Sequence, residues 1–289
     1  MTRITIGDTG KSVSIPSSWN EMTARDVKYV YRLYDRCCRE GLSPLEFNIR
    51  ALYHFFGIRK MVRGHRDERI AENVYLLTEQ CMGFLLDDSS GVPRLSFDSV
   101  TNPLPRLGLR RGPGDLCQNL TFGEFRHAAM AVKSLSETHG PEHLDECIAI
   151  LYRHGFGRAN KAGRRCPPLG SAGFRLDLAL ARRLPSWKKH LILAWFCRTL
   201  TYLQSEVVVI DGEEVDTGAL FSSGGKSSGP TCTWNDLLVQ IAKDGCIGNT
   251  DAVDAEPLLS IIQIMWSNYK DYKRYEATSK ARAGHGIFQ

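Results

Sequence analysis

Three times in this chain a threonine stands three residues before an acid, in Thr23-Ala24-Arg25-Asp26, Thr121-Phe122-Gly123-Glu124 and Thr233-Trp234-Asn235-Asp236. The pattern starts a helix. The threonine oxygen accepts from the amide three residues on, and the acid reaches back to the threonine amide, so two otherwise bare donors are satisfied. Apolar residues at helical spacing follow each one: Val27, Val30, Tyr31, Tyr34 and Cys37/Cys38; Phe122, Phe125, Ala129 and Val132; Trp234, Leu237, Leu238 and Ile241. Pro44, Pro141 and Pro257 then open a second helix in each unit, where the missing N–H of proline costs nothing. The second-helix stripes run through Leu45, Ile49, Leu52 and Phe56, then Leu144, Cys147, Ile148 and Leu151, then Leu258, Ile261, Ile262, Met265, Trp266 and Tyr269. Chance recurrence of common caps is one reading of this. Duplication is the alternative, with more behind it in the first two units than in the third because Ala51-Leu52-Tyr53-His54 rhymes with Ile150-Leu151-Tyr152-Arg153.

Between the helical pairs lie shorter signals. Ile4, Ile6, Val13 and Ile15 alternate around Asp8-Thr9-Gly10, and Val207–Ile210 returns through Asp211-Gly212 to Glu214-Val215; both predict hairpins. A further helix carries Ile70, Val74, Leu77, Cys81, Phe84 and Leu85, and an apolar one runs from about Ser186 to Gln204. The expected fold is therefore mainly α with small β-hairpins, in helical units. Five segments are expected: 1–88, a hairpin plus helical unit; 89–118, a Gly/Pro-rich linker with a short strand near Leu95–Phe97; 119–221, a second helical unit with a basic loop and hairpin; 222–231, a Ser/Gly linker; and 232–289, a helical pair with a basic tail.

Several functional classes find no footing. No apolar run reaches the roughly 18 residues of a membrane span, and Met1–Pro16 lacks a signal-peptide core, so the expectation is the cytoplasm. The nine cysteines include no CxxC pair, which argues against a disulfide framework. Adjacent Cys37 and Cys38 end an apolar stripe and read as core residues. Gly225-Lys226-Ser227 lacks the earlier glycine and the following helix of a phosphate loop, and reads as linker. His139, His143 and Cys147 share helical spacing, but Gly140-Pro141 interrupts them and a fourth zinc ligand is missing. No nucleophile elbow, His-Glu-x-x-His or acidic metal cluster stands out, so no catalytic residue, metal or cofactor is assigned.

Charge is the strongest functional signal. The net charge is +5, yet ten Lys/Arg between Arg153 and Lys189 face a single acid, Asp177, whereas residues 206–256 hold ten acids against Lys226 and Lys243. Arg158, Lys161, Arg164, Arg165, Arg182, Arg183, Lys188 and Lys189 are the candidate binding residues. Three readings stay open for them: contact with nucleic-acid phosphates, contact with an acidic protein surface such as the 206–256 region of a neighbouring copy, or a solvated charged face. Trp19 and Trp234, at helix starts, are the aromatic residues expected to reach a protein partner.

A hairpin followed by Ile15-Pro16-Ser17-Ser18-Trp19-Asn20-Glu21-Met22-Thr23 and an amphipathic helix resembles small proteins encoded among the tail genes of tailed phages, especially those of Bacteroidetes. Leu120–Phe125 followed by Ile148–Arg153, and Trp234–Leu238 before Pro257, are similar in kind; together these pieces span about half the chain. The resemblance implies a non-enzymatic virion component, head–tail connector element or tail assembly chaperone, in the bacterial host cytoplasm or the particle. Its partners would be other phage structural or assembly proteins or further copies of itself, with DNA contact open and no membrane involved. It carries no catalytic residues over. The basic loop and Ser/Gly linker depart from a single-domain chaperone. The residues alone also leave open a nucleic-acid-binding protein, or an enzyme with a dispersed site.

Overall fold

The computed structural model describes residues 1–6, 11–58, 68–87, 89, 92–155, 159–221 and 234–285. It is mainly helical, with small antiparallel sheets of two or three strands. The chain divides into two compact units, Met1–Leu104 with Arg183–Arg198, and Pro105–Arg182 with Thr199–Gln289. Both are discontinuous in sequence, because a helix from the middle of the chain completes the first. The Ser/Gly segment expected at 222–231, the Gly225-Lys226-Ser227 sequence and Thr233 lie outside the described residues.

In the first unit β1 (Thr2–Ile6) and β2 (Lys11–Ile15) pair from Thr2↔Ile15 to Ile6↔Lys11, as the alternation predicts. Helix α1 (Ala24–Glu40) begins at the expected capping box. Thr23 Oγ1 accepts from the Asp26 amide at 3.3 Å and Asp26 accepts from the Thr23 amide at 3.2 Å. The helix stops at Gly41, whose φ of 67° suits a residue without Cβ. Helix α2 (Pro44–Phe55) opens at its proline but buries Phe47, Ala51, Leu52 and Tyr53. Leu45, placed on the buried stripe by spacing, is exposed instead. Helix α3 (Glu68–Met82) leads to a two-residue ladder of β3 (Leu86–Asp87) with β4 (Arg94–Leu95). The first part of α7 (Ser186–Ser205), reaching Arg198, closes the unit by burying Leu191, Ile192, Trp195 and Phe196. The Trp195 indole donates to the Val100 carbonyl at 2.8 Å. Part of the expected 89–118 linker is thus tied down.

The second unit repeats the local design. Helix α4 (Phe122–Thr138), like α1, has 17 residues, a threonine capping box and a left-handed C-cap, here His139 at φ 56°. Helix α5 (Pro141–Leu151) opens at Pro141 and packs on α4. Residues 105–111 and 153–154 form a three-stranded sheet in the order β5 (Arg106–Leu107), β6 (Arg110–Arg111), β7 (Arg153–His154). Helix α6 (Ala172–Arg182) lies on α5. The second predicted hairpin is present as β8 (Val207–Ile210) and β9 (Glu213–Asp216); Asp211 and Gly212, both at positive φ, make its turn. Short α8 (Thr217–Phe221), then α9 (Trp234–Asp244), α10 (Thr250–Ala255) and α11 (Leu258–His285) complete the unit. The third expected pair is interrupted by α10, so Pro257 opens its helix against a different neighbour. Backbone bonds from Phe122 N to Glu256 O at 2.8 Å and from Leu258 N to Leu120 O at 3.0 Å tie the starts of α4 and α11 together. Gly123 permits this closeness: a Cβ there would lie 2.9 Å from the Asp254 Cβ.

Candidate functional site

The basic stretch does not form one exposed surface. Arg153 and Arg164 are buried, Arg158 lies outside the described residues, and Arg183, Lys188 and Lys189 belong to the first unit while Lys161, Arg164, Arg165 and Arg182 belong to the second. Arg164 as a partner-binding residue is therefore corrected. Its guanidinium donates to the carbonyls of Arg111, at 2.9 Å, and Leu151, and lies 3.9 Å from Glu124. It pins the 159–165 loop to the sheet and to the end of α5. Lys161 pairs with Glu256. Arg165 and Arg182 are exposed. In the first unit Arg183 is exposed, while Lys188 and Lys189 are half-buried, Lys188 standing 5.5 Å over the Trp187 ring.

Asp177, the lone acid of the stretch, is the centre of a buried network. Arg110 reaches it at 2.8 Å, His154 at 2.5 Å and Arg153 at 3.6 Å. Burial, more than any neighbour, lowers the pKa of Arg153. Two guanidinium groups out of water need a counter-charge at hand, and α6 supplies it. The same network anchors α6 to β6 and β7.

Trp19 and Trp234 also require correction, since both are buried. Trp19 sits among Tyr31, Phe84 and Phe97, the last 5.1 Å away between centroids. Trp234 sits edge-on to Phe125 at 4.8 Å, with Phe221 and Phe122 around it. An indole following a helix cap has two physical options, an outward surface or the inner end of the stripe. Here aromatic neighbours distant in sequence draw it inward.

Around the start of α4 lies an open cleft of about 1380 Å³, with Thr121, Gly123, Glu124, His127, Lys161 and Cys166 among its lining and Asp251 and Asp254 on α10. Its polar groups are largely committed to one another. Arg126 holds Asp254 through two bonds of 3.1 and 2.5 Å and donates to Asn235 at 2.8 Å. Cys166 Sγ donates to Glu124 at 3.2 Å. Burial, then the Glu124 charge, pushes this thiol up to about 11. Burial, then the Arg126 charge, lowers the His127 pKa. At neutral pH the cleft therefore offers a protonated thiol and a neutral imidazole.

Sequence reading passed over the free surface of the second unit. From Ser267 to Ser279 no residue of α11 is buried, and Tyr272 and Tyr275 are 63% and 74% exposed. A 28-residue helix is about 42 Å long; Asn268 and Lys270 still bond to Asp244 and Glu213, and the turns that follow, through Tyr272 and Tyr275, stand exposed. Spacing could have revealed this, because the apolar stripe stops at Tyr269 while the helix-favouring residues continue. Among the described residues no helix is long and apolar enough to cross a membrane. Comparison of the chain with protein-family models, with curated proteins and with solved structures gives no match.

Proposed function

We propose that this chain is a non-enzymatic component or assembly factor of a tailed-phage tail or neck, acting through protein–protein interfaces. The observation that carries the interface reading is the exposed stretch of α11 with Tyr272 and Tyr275. Tyrosines are over-represented among residues that dominate binding energy, and an amphipathic helix laid in a partner's groove is a common recognition mode. Ordered aromatic side chains left in water on a helix already formed lose little further freedom on docking. The phage assignment itself is supported by the sequence pieces that resemble tail-gene products. Those of the second unit meet in one core: Thr121 bridges to Pro257, Phe125 packs on Trp234, and Arg126 holds Asn235.

The test is affinity purification of the tagged full chain from infected cells, with imaging of the particles. The expected result is co-purification with tail, neck or tail-assembly proteins, reduced at least about tenfold by Tyr272→Ala with Tyr275→Ala. Recovery without any particle protein, or a gene remote from tape-measure and portal genes, would overturn the proposal.

A further inference from the structure

Two unlike patches on the second unit complement one another, and among the described residues neither makes an ion pair within the chain. The first is apolar, with exposed arginines near it in the chain. Leu109, at the tip of the β5–β6 hairpin, is 81% exposed, and Leu176 on α6 is 61% exposed, with Leu180 one turn further on the same face. The bond from Arg110 to Asp177 sets these elements side by side, and Leu109 and Leu176 are the chain neighbours of the two bonded residues. Arg106 and Arg111 are directly opposite across the hairpin, and both are exposed, as is Arg175. Like charges opposite each other on a ladder are destabilising, and these two arginines make no ion pair among the described residues. The only acid on α6, Asp177, is buried.

The second patch is apolar with carboxylates. In the β8–β9 hairpin the pairs Val208↔Val215 and Ile210↔Glu213 face inward, with both valines and Ile210 buried. The pairs Val207↔Asp216 and Val209↔Glu214 face outward. Val209 is 65% exposed, and Val207 is about half exposed. This hairpin already binds basic and aromatic side chains inside the chain. Glu213 accepts from Lys270 at 2.5 Å and from the Trp266 indole at 3.1 Å. On its outer face Glu214 is exposed, and Asp216 is exposed while one of its oxygens accepts from the Ala219 amide at 3.0 Å.

We infer that the leucine patch of one copy, with its nearby arginines, docks on the outer face of the β8–β9 hairpin of a second copy. Leucines meet valines at the centre, and arginines meet Glu214 and Asp216 at the edge. The two patches differ, so the contact is head-to-tail. Contacts of that kind generate rings when the rotation closes and filaments when it does not. This deepens the interface reading above and rests on it only in taking protein as the partner.

The experiment is light scattering on the purified full chain during size-exclusion chromatography. The wild type should run larger than a monomer. Leu176→Asp and Val209→Asp alter exposed side chains, and each should run as a monomer with an unchanged circular-dichroism spectrum. Mixed, these two variants should form a dimer that grows no further, because each retains one intact patch. Arg175→Glu alone should weaken assembly about tenfold, and Glu214→Arg in the same chain should restore most of it. A monomeric wild type, or a mixture of the two aspartate variants that stays monomeric, overturns self-association. Co-purification with particle proteins would then still uphold the reading of the previous section, and its absence would remove that one separately.

Discussion

At the scale of single residues, the second unit depends on two buried charges that the chain could not leave unpaired. Removing the Asp177 carboxylate would take from Arg110 its paired acid and leave the buried Arg153 with Glu124 as the remaining carboxylate acting on it. Asp177→Ala is expected to cost about 3–5 kcal/mol, the usual result of breaking one side of a buried ion pair. Urea titration would measure it, and a loss below about 1 kcal/mol would mean that solvent reaches the arginines. Cys166 gives a prediction in pH. Its folded pKa, near 11, is above the ordinary thiol value, so the folded chain keeps a proton that the unfolded chain gives up. The stability from this thiol is complete below the ordinary thiol pKa and is lost as pH rises through about 11. In alkylation mapped by mass spectrometry, exposed Cys38 and Cys246 should react at pH 8 while Cys166 stays largely unmodified until the pH approaches 11. Equal rates at pH 8 would show that the bond to Glu124 does not hold the thiol.

At the scale of elements, α1 and α4 begin alike but should respond differently to loss of the cap. Thr23 is exposed, so water can replace its oxygen at the Asp26 amide; Thr121 is buried beside the bridge to Pro257, so the Glu124 amide would be left bare. Thr23→Ala should cost about 1 kcal/mol. Thr121→Ala should cost more, about 2–3 kcal/mol once the desolvated amide is included; equal losses in denaturant titration would contradict this. The caps of α1 and α4, both hairpins and most helices were legible in the sequence because they follow from contacts a few residues apart. The stripe of α2 was misplaced because propensity does not say which side the core will occupy, and Phe47 and Ala51 won over Leu45. The β5–β6–β7 sheet has strands of two residues, too short for any alternation to show. The candidate site was the least legible part. A run of cations reads as a surface until the partner of Asp177 is known, and Arg110 is 67 positions away.

At the scale of the molecule, the head-to-tail contact predicts an unusual dependence on salt. Each copy carries a net charge of +5, so whole copies repel one another at long range. The docking patches carry opposite charge and attract only near contact. At about 0.01 M salt the screening length is roughly 30 Å, comparable to a domain, and the general repulsion is felt before the patches meet. At about 0.1 M it falls to roughly 10 Å, which removes most of that repulsion while sparing charges that touch. Near 1 M, at roughly 3 Å, the arginine–carboxylate pairs at the rim are screened too, leaving the leucine–valine centre to hold alone. Association should therefore strengthen from about 0.01 to 0.1 M and weaken again towards 1 M without vanishing, in sedimentation measured across that range. Arg175→Glu removes one rim arginine and sets a like charge against Glu214, so its weaker association should fall less than that of the wild type between about 0.1 and 1 M. A wild type whose association rises throughout would mean that the rim charges contribute nothing and the contact is apolar only. A wild type that falls steadily from the lowest salt would place the net repulsion below the patch attraction at every distance, contrary to what a net charge of +5 on each copy requires.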